Sequence, residues 1–235
     1  MILYVNGDSH SAGAEAVNNY CFAIDDIKKY YHLGRAPHPD NLKVSYGQLV
    51  ADNLDYQLVC DAESGASNTR ILRTTYSYLE KNTPNLIIIG WATWEREEWM
   101  FDDQYYQFSA GLDPAQLPKE IAEVFKKWVI DRWQPHIYCK YWQDRIWQLH
   151  QDLVSKQIPH LFFNSYCNLI IPKSEELNWG DSYMDPYSQQ GTYWNQLSEL
   201  GYQTVSKNSF HFGADAHQAW GDRLTKIINE SIIAK

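Results

Sequence analysis

Two short stretches near opposite ends of the chain carry residue types that can do nucleophilic chemistry. The first is Val5-Asn6-Gly7-Asp8-Ser9-His10-Ser11. A serine hydroxyl that follows a short apolar run stands at a strand's carboxyl end, and the glycine before it permits a tight turn. The next backbone N–H groups can then face a developing oxyanion. Gly-Asp-Ser by itself is an ordinary turn, so its position after a strand is what gives it weight. The second stretch is Gly213-Ala214-Asp215-Ala216-His217. A histidine at a helix start, beside a carboxylate, can be oriented by it and take a proton from a serine. His211 is the fallback base. His10 adjoins Ser9 and reads as a loop or substrate contact.

The elements that would position these residues follow from hydrophobic patterning. Ile2 to Val5 reads as a buried strand stopped by Asn6-Gly7, and Tyr46 to Leu54 has helical spacing. Tyr56 to Cys60 is a second strand, and Thr69 to Lys81 a helix with Asn68 as N-cap. Leu86-Ile87-Ile88-Ile89-Gly90 is an unbroken apolar run, as in a strand covered on both faces. Residues 91–117 are irregular, aromatic and acidic. Within them Glu95-Arg96-Glu97-Glu98 reads as a solvated helix start, and a glycosidase built on Glu95 lacks an identifiable partner acid. Lys119 to Lys156 is helical, broken at Pro135, with Trp142, Ile146, Leu149 and Leu153 as a core stripe. Pro159 to Asn164 is a fourth strand, residues 172–212 are loop-rich, and a last helix runs from about Asp215 to Ile233. Strands alternating with helices imply a three-layer α/β/α sandwich on a mainly parallel sheet, in one domain over residues 1–235. Active sites of such sheets collect at the carboxyl ends of the strands.

Taken together, these stretches resemble the GDSL/SGNH hydrolase family over the whole chain. Gly7-Asp8-Ser9-His10-Ser11 matches the family's Gly-Asp-Ser-x-Ser block, which implies Ser9 as nucleophile. Asp215-Ala216-His217 is similar to the last block, which implies His217 as base and Asp215 as its orienting acid. The usual spacing there is Asp-x-x-His, and Asp222 is the lesser substitute. Ser64-Gly65-Ala66-Ser67-Asn68 occupies the place of the second block, so Gly65 or Asn68 would donate an oxyanion N–H. Ile89-Gly90-Trp91-Ala92-Thr93 occupies the place of Gly-x-Asn-Asp, with Ala92 or Thr93 where the family has its oxyanion asparagine. Thr93 or the Asn68 amide would stand in for it, and Arg96 with Trp91 or Trp94 would line the cleft. The resemblance implies a flavodoxin-like fold and an acyl-enzyme mechanism that needs no metal or other cofactor.

Composition narrows the partners. The chain has 235 residues, a formal charge of −9 and 44% hydrophobic residues, which suits one globular domain and disfavours nucleic acid or anionic membrane. Ten Trp and seventeen Tyr are a surplus of the kind that lines sugar-stacking clefts. The four scattered cysteines read as free buried thiols. No signal peptide or membrane span is visible, so a cytoplasmic protein is expected, or a virion-associated one if phage-encoded. The expected function is a carboxylic ester hydrolase acting on a small-molecule or glycan ester, for example a carbohydrate O-acetylesterase. The rivals are a catalytically weakened glycan-binding module of the same fold and a lipase or thioesterase.

Overall fold

The structure, a computed structural model, describes residues 1–23, 35–109, 111–132 and 134–233. Four strands form the central sheet: β1 (Ile2–Gly7), β2 (Gln57–Cys60), β3 (Leu86–Trp91) and, after a separate hairpin of β4 (Arg96–Phe101) and β5 (Gln104–Ser109), β6 (His160–Asn164). Their order is β2-β1-β3-β6 and every pairing is parallel, with Val5 in register with Cys60 and Ile88, and Gly90 with Phe163. Parallel neighbours need crossovers, and the helices supply them. They are α1 (Pro39–Lys43), α2 (Tyr46–Leu54), α3 (Asn68–Leu79), α4 (Lys119–Arg132), α5 (Pro135–Ser155), α6 (Tyr193–Glu199) and α7 (Ala214–Ile227).

Strand side chains alternate between two cores, which is why the apolar runs are continuous. Tyr4, Ile87, Ile89 and Phe162 face α3 and α5, where Trp142, Ile146, Leu149 and Leu153 are buried as the core stripe. Leu3, Val5, Ile88, Leu161 and Phe163 face α2 and α7, against Tyr46, Val50, Trp220 and Leu224. The sheet is therefore the middle layer of an α/β/α sandwich, as its sequence pattern predicts. The break at Pro135 is also present, α4 ending at Arg132 and α5 starting at Pro135; residue 133 lies outside the described residues.

Three local expectations change. Ser67, not Asn68, caps α3, its hydroxyl accepting the Arg70 N–H at 3.3 Å, so the helix starts one residue earlier. Arg96 to Glu98 lie in strand β4, not a helix start. Arg96 and Glu98 lie on one face, which turns to α3, while Glu97, Trp99 and Phe101 share the other, where Trp99, Tyr106 and Phe108 pack on α4. The last helix runs from Ala214 to Ile227 and continues as a π-helical turn through Ile232. Among the described residues no helix is long and apolar enough to cross a membrane.

Candidate active site

β1 ends at Gly7 with φ +153°. A β-carbon there would lie 2.0 Å from Ser11 Oγ and 2.7 Å from the Gly90 carbonyl oxygen, so the strand can turn here only on glycine. Ser11 is buried, and its Oγ accepts the Tyr46 hydroxyl at 2.5 Å; the second serine of the motif is a packing group. Beyond Gly7 the chain coils. Asp8 Oδ1 accepts the His10 N–H at 3.1 Å, and the Asp8 and Ser9 carbonyls accept the Ala12 and Ala14 N–H groups at 3.0 and 2.9 Å. Ser9 is 5% exposed at the start of this coil. Burial pushes the Asp8 carboxyl up, against the pull of Arg96, whose Nη1 is 3.6 Å from Asp8 Oδ2.

The same coil ends at Glu15, a non-glycine residue held at φ +61°. Its Oε2 lies 2.6 Å from His211 Nδ1 and accepts the Ser209 hydroxyl at 2.5 Å. These hydrogen bonds, that of His211 foremost, hold the Glu15 carboxyl below its usual range. With Nδ1–H donated to a carboxylate, the neutral His211 ring keeps Nε2 as a free acceptor, the tautomer a general base requires. The His10 ring stands edge-on to His211 with centroids 5.6 Å apart, and tilted on Tyr193 at 5.1 Å. Burial drives the His10 imidazole far below its ordinary value, so it stays neutral beside Ser9, with Nδ1 lacking a hydrogen-bond partner.

His217 has the opposite wiring. It is 1% exposed, and its Nδ1 accepts the N–H of Tyr46, the first residue of α2, at 3.3 Å. That N–H is one of the orphan donors of a helix start. A neutral His217 that accepts through Nδ1 carries its proton on Nε2, so that nitrogen has no lone pair to offer a serine. Burial, with His10 and His211 nearby, pushes its pKa down to about 3. Asp215 does not orient it: the Asp215 carboxylate turns back to the N–H of Ala216 at 2.9 Å, because residues two apart on a helix point to different faces. Asp222 accepts the Gln218 amide at 2.9 Å.

The middle blocks surround Ser9 differently from the sequence expectation. Gly65, at φ +82°, has the side-chain amide of Gln107 where a β-carbon would be, with Nε2 at 2.2 Å from that position. Gln107 comes from β5 and is buried. Arg96, from β4, approaches Asp8 and donates to the Ala66 carbonyl at 3.4 Å, tying the hairpin to both loops. Behind them Glu63 is buried in an ion pair with Arg70 at 2.6 Å, which steadies the Gly65 loop. Asn68 opens α3 with its Oδ1 buried and unpartnered. Thr93 is occupied, its Oγ1 3.5 Å from Cys167 Sγ and accepting the Glu95 N–H at 3.4 Å. Trp91 is a core residue, its ring edge-on to Phe162 on the α3–α5 side, and Trp94 belongs to the same core, so neither lines a cleft. Glu15 and Gln107 are the residues that sequence reasoning missed; neither sits in a motif, and no local signal marks them. The ligand atoms of Glu15, Cys21 and His211 also lie within 4.8 Å of one another, a set able to hold a soft divalent ion.

No protein-family model matches the chain, and no curated protein matches it. Among solved structures, a carbohydrate esterase family 2 enzyme with a carbohydrate-binding domain from Corynascus thermopiles (Myceliophthora fergusii) is 17% identical, with a TM-score of 0.46 over 97% of this chain and 65% of that one. A family two carbohydrate esterase from Clostridium thermocellum, in complex with cellohexaose, is 15% identical, with a TM-score of 0.46 over 97% of this chain and 63% of that one. A protein assigned to the lipolytic G-D-S-L family from Desulfitobacterium hafniense is 11% identical, with a TM-score of 0.43 over 96% and 98%. The chain spans just under two thirds of the length of the two carbohydrate esterases. The likeness to all three is one of fold, at low identity.

Proposed function

We propose that this chain is a carboxylic ester hydrolase in which Ser9 is the nucleophile and His211, held by Glu15, is the base. The observation that carries the reading is the 2.6 Å contact between His211 Nδ1 and Glu15 Oε2, formed by the coil that begins at Ser9. His211 Nε2 takes the Ser9 hydroxyl proton while Oγ bonds the acyl carbon and the carbonyl pair moves onto oxygen. The oxyanion is met by the Ser9 N–H, an N–H from Gly65 or Asn68, and the Gln107 amide, which replaces the asparagine absent at Ala92. Collapse expels the alcohol, which leaves with the proton from His211. Water repeats the sequence and frees the acid.

For the alcohol half, a carbohydrate is the reading supported best. Phe210, next to His211, is exposed and stands edge-on to Tyr166 at 6.4 Å, and Tyr166 lies 5.4 Å from Trp194. An aromatic surface beside the base suits the flat apolar face of a sugar. The proposed substrate is an O-acetylated glycan.

A fluorophosphonate probe and p-nitrophenyl acetate test the assignment. Wild type should label and turn over, Ser9→Ala should do neither, and His211→Ala should lose activity where His217→Gln keeps it. Failure of wild type to exceed Ser9→Ala in both assays would leave a glycan-binding module, detected by retained binding of an acetylated oligosaccharide.

A further inference from the structure

The outer face of the β4–β5 hairpin, away from Gln107, closes a cavity remote from Ser9. It has a volume of about 370 Å³ and is lined by Glu97, Trp99, Trp128, Ile137, Tyr138 and Tyr141, drawn from β4, α4 and α5. Of its rings, Trp128 stands almost perpendicular to both Trp99 and Tyr138. Trp99 and Trp128 have centroids 5.9 Å apart at 86°, and Trp128 and Tyr138 have centroids 5.7 Å apart at 89°. Rings at right angles make the walls of a box. Tyr141 and Ile137 are exposed at the rim, so the box opens to solvent.

We propose that this box binds an organic ammonium group, such as a quaternary or methylated ammonium, with Glu97 as its counter-ion. The negative faces of indole and phenol rings attract a cation within about 6 Å of the ring centroid, and a diffuse alkylammonium loses little hydration on entering. The Trp128 N–H is spent on the Tyr138 hydroxyl, which accepts it at 2.5 Å. The Glu97 carboxylate forms no ion pair with any described residue. Burial raises its pKa to about 7, against the pull of the Glu98 N–H and the Thr69 hydroxyl. A carboxylate so placed lacks a cation, and a bound ammonium would supply one. The neighbouring cation Arg73 is engaged elsewhere, on Glu98 at 2.9 and 3.1 Å and over the Tyr105 ring. This site stands whether or not Ser9 is a nucleophile.

Saturation-transfer NMR on the methyl protons of choline and tetramethylammonium, with the intact protein, tests the proposal. Both cations should bind saturably. The uncharged isostere 3,3-dimethylbutan-1-ol should bind about tenfold more weakly, as the loss of cation–π and ionic attraction requires. Glu97→Gln, which keeps a hydrogen-bonding group opposite Thr69, should weaken both cations by a similar factor while leaving the melting temperature at or above that of wild type. Equal binding of the isostere, undiminished binding to Glu97→Gln, or signal from cellohexaose with none from the cations would each overturn it.

Discussion

His211 Nδ1 and Glu15 Oε2 lie 2.6 Å apart across a sequence separation of 196 residues. The bond joins the coil after β1 to the loop before α7 and sets the His211 tautomer. Glu15→Gln should leave the fold intact but present an amide that stabilises the wrong tautomer. We expect kcat to fall by about 10²–10⁴, with KM little changed. Steady-state kinetics on p-nitrophenyl acetate check this, and a loss of less than threefold would remove Glu15 from the mechanism.

Glu15 also predicts the acid limb. Its carboxyl is held below the usual value by the His211 hydrogen bond, so the contact contributes stability above the ordinary carboxylate range and loses it as pH falls through the lowered value. In His211→Ala the Glu15 titration should move back up. Carbon-13 NMR of labelled glutamate reads the shift directly.

His217 makes a separate prediction about stability. Its folded pKa of about 3 lies below the ordinary histidine value of 6.5. The unfolded chain therefore takes up a proton that the fold refuses, and stability declines as pH drops from 6.5 toward 3. Between pH 6.5 and 5 the expected loss is about 2 kcal/mol. His217→Gln, whose side-chain oxygen can still accept the Tyr46 N–H, should flatten that decline in urea titrations and retain esterase activity.

Gln107→Ala tests the rebuilt oxyanion hole. Removing one such donor costs about 10²–10³ in kcat, with substrate binding nearly unchanged. Gly65→Ala is the companion, since its β-carbon would sit 2.2 Å from Gln107 Nε2 and must displace it. Both should fall together, and the double variant should cost little more than either alone.

Gly7→Ala should be the most damaging single change in this region. Its methyl would meet Ser11 Oγ at 2.0 Å and the Gly90 carbonyl oxygen at 2.7 Å, at a φ of +153° that side chains avoid. We expect a loss of stability above about 3 kcal/mol, or no soluble protein.

The parallel sheet was legible because its signal is local. Leu86 to Ile89 must be covered on both faces, and Trp142, Ile146, Leu149 and Leu153 mark one helix face whatever the rest of the chain does. The hairpin was not legible, because Arg96, Glu97 and Glu98 owe their strand to cross-strand partners in β5 and to Arg73, and charged residues carry little strand preference of their own. Trp91 and Trp94 read as cleft residues from their place beside Thr93 and are core by packing.

The sequence by itself determined that a serine hydroxyl follows the first strand after a glycine that permits a tight turn, since both the turn and the strand are written in neighbouring residues. Its motif pointed to His217 as base and left His211 as the fallback. His217 stands in the first turn of α7 and His211 just before it, and what separates them is the partner of each Nδ1: a carboxylate for His211, a backbone N–H for His217. Only the tertiary structure brings Glu15 and Tyr46 to those nitrogens, because an imidazole's tautomer is decided by the hydrogen bond its other nitrogen makes across space.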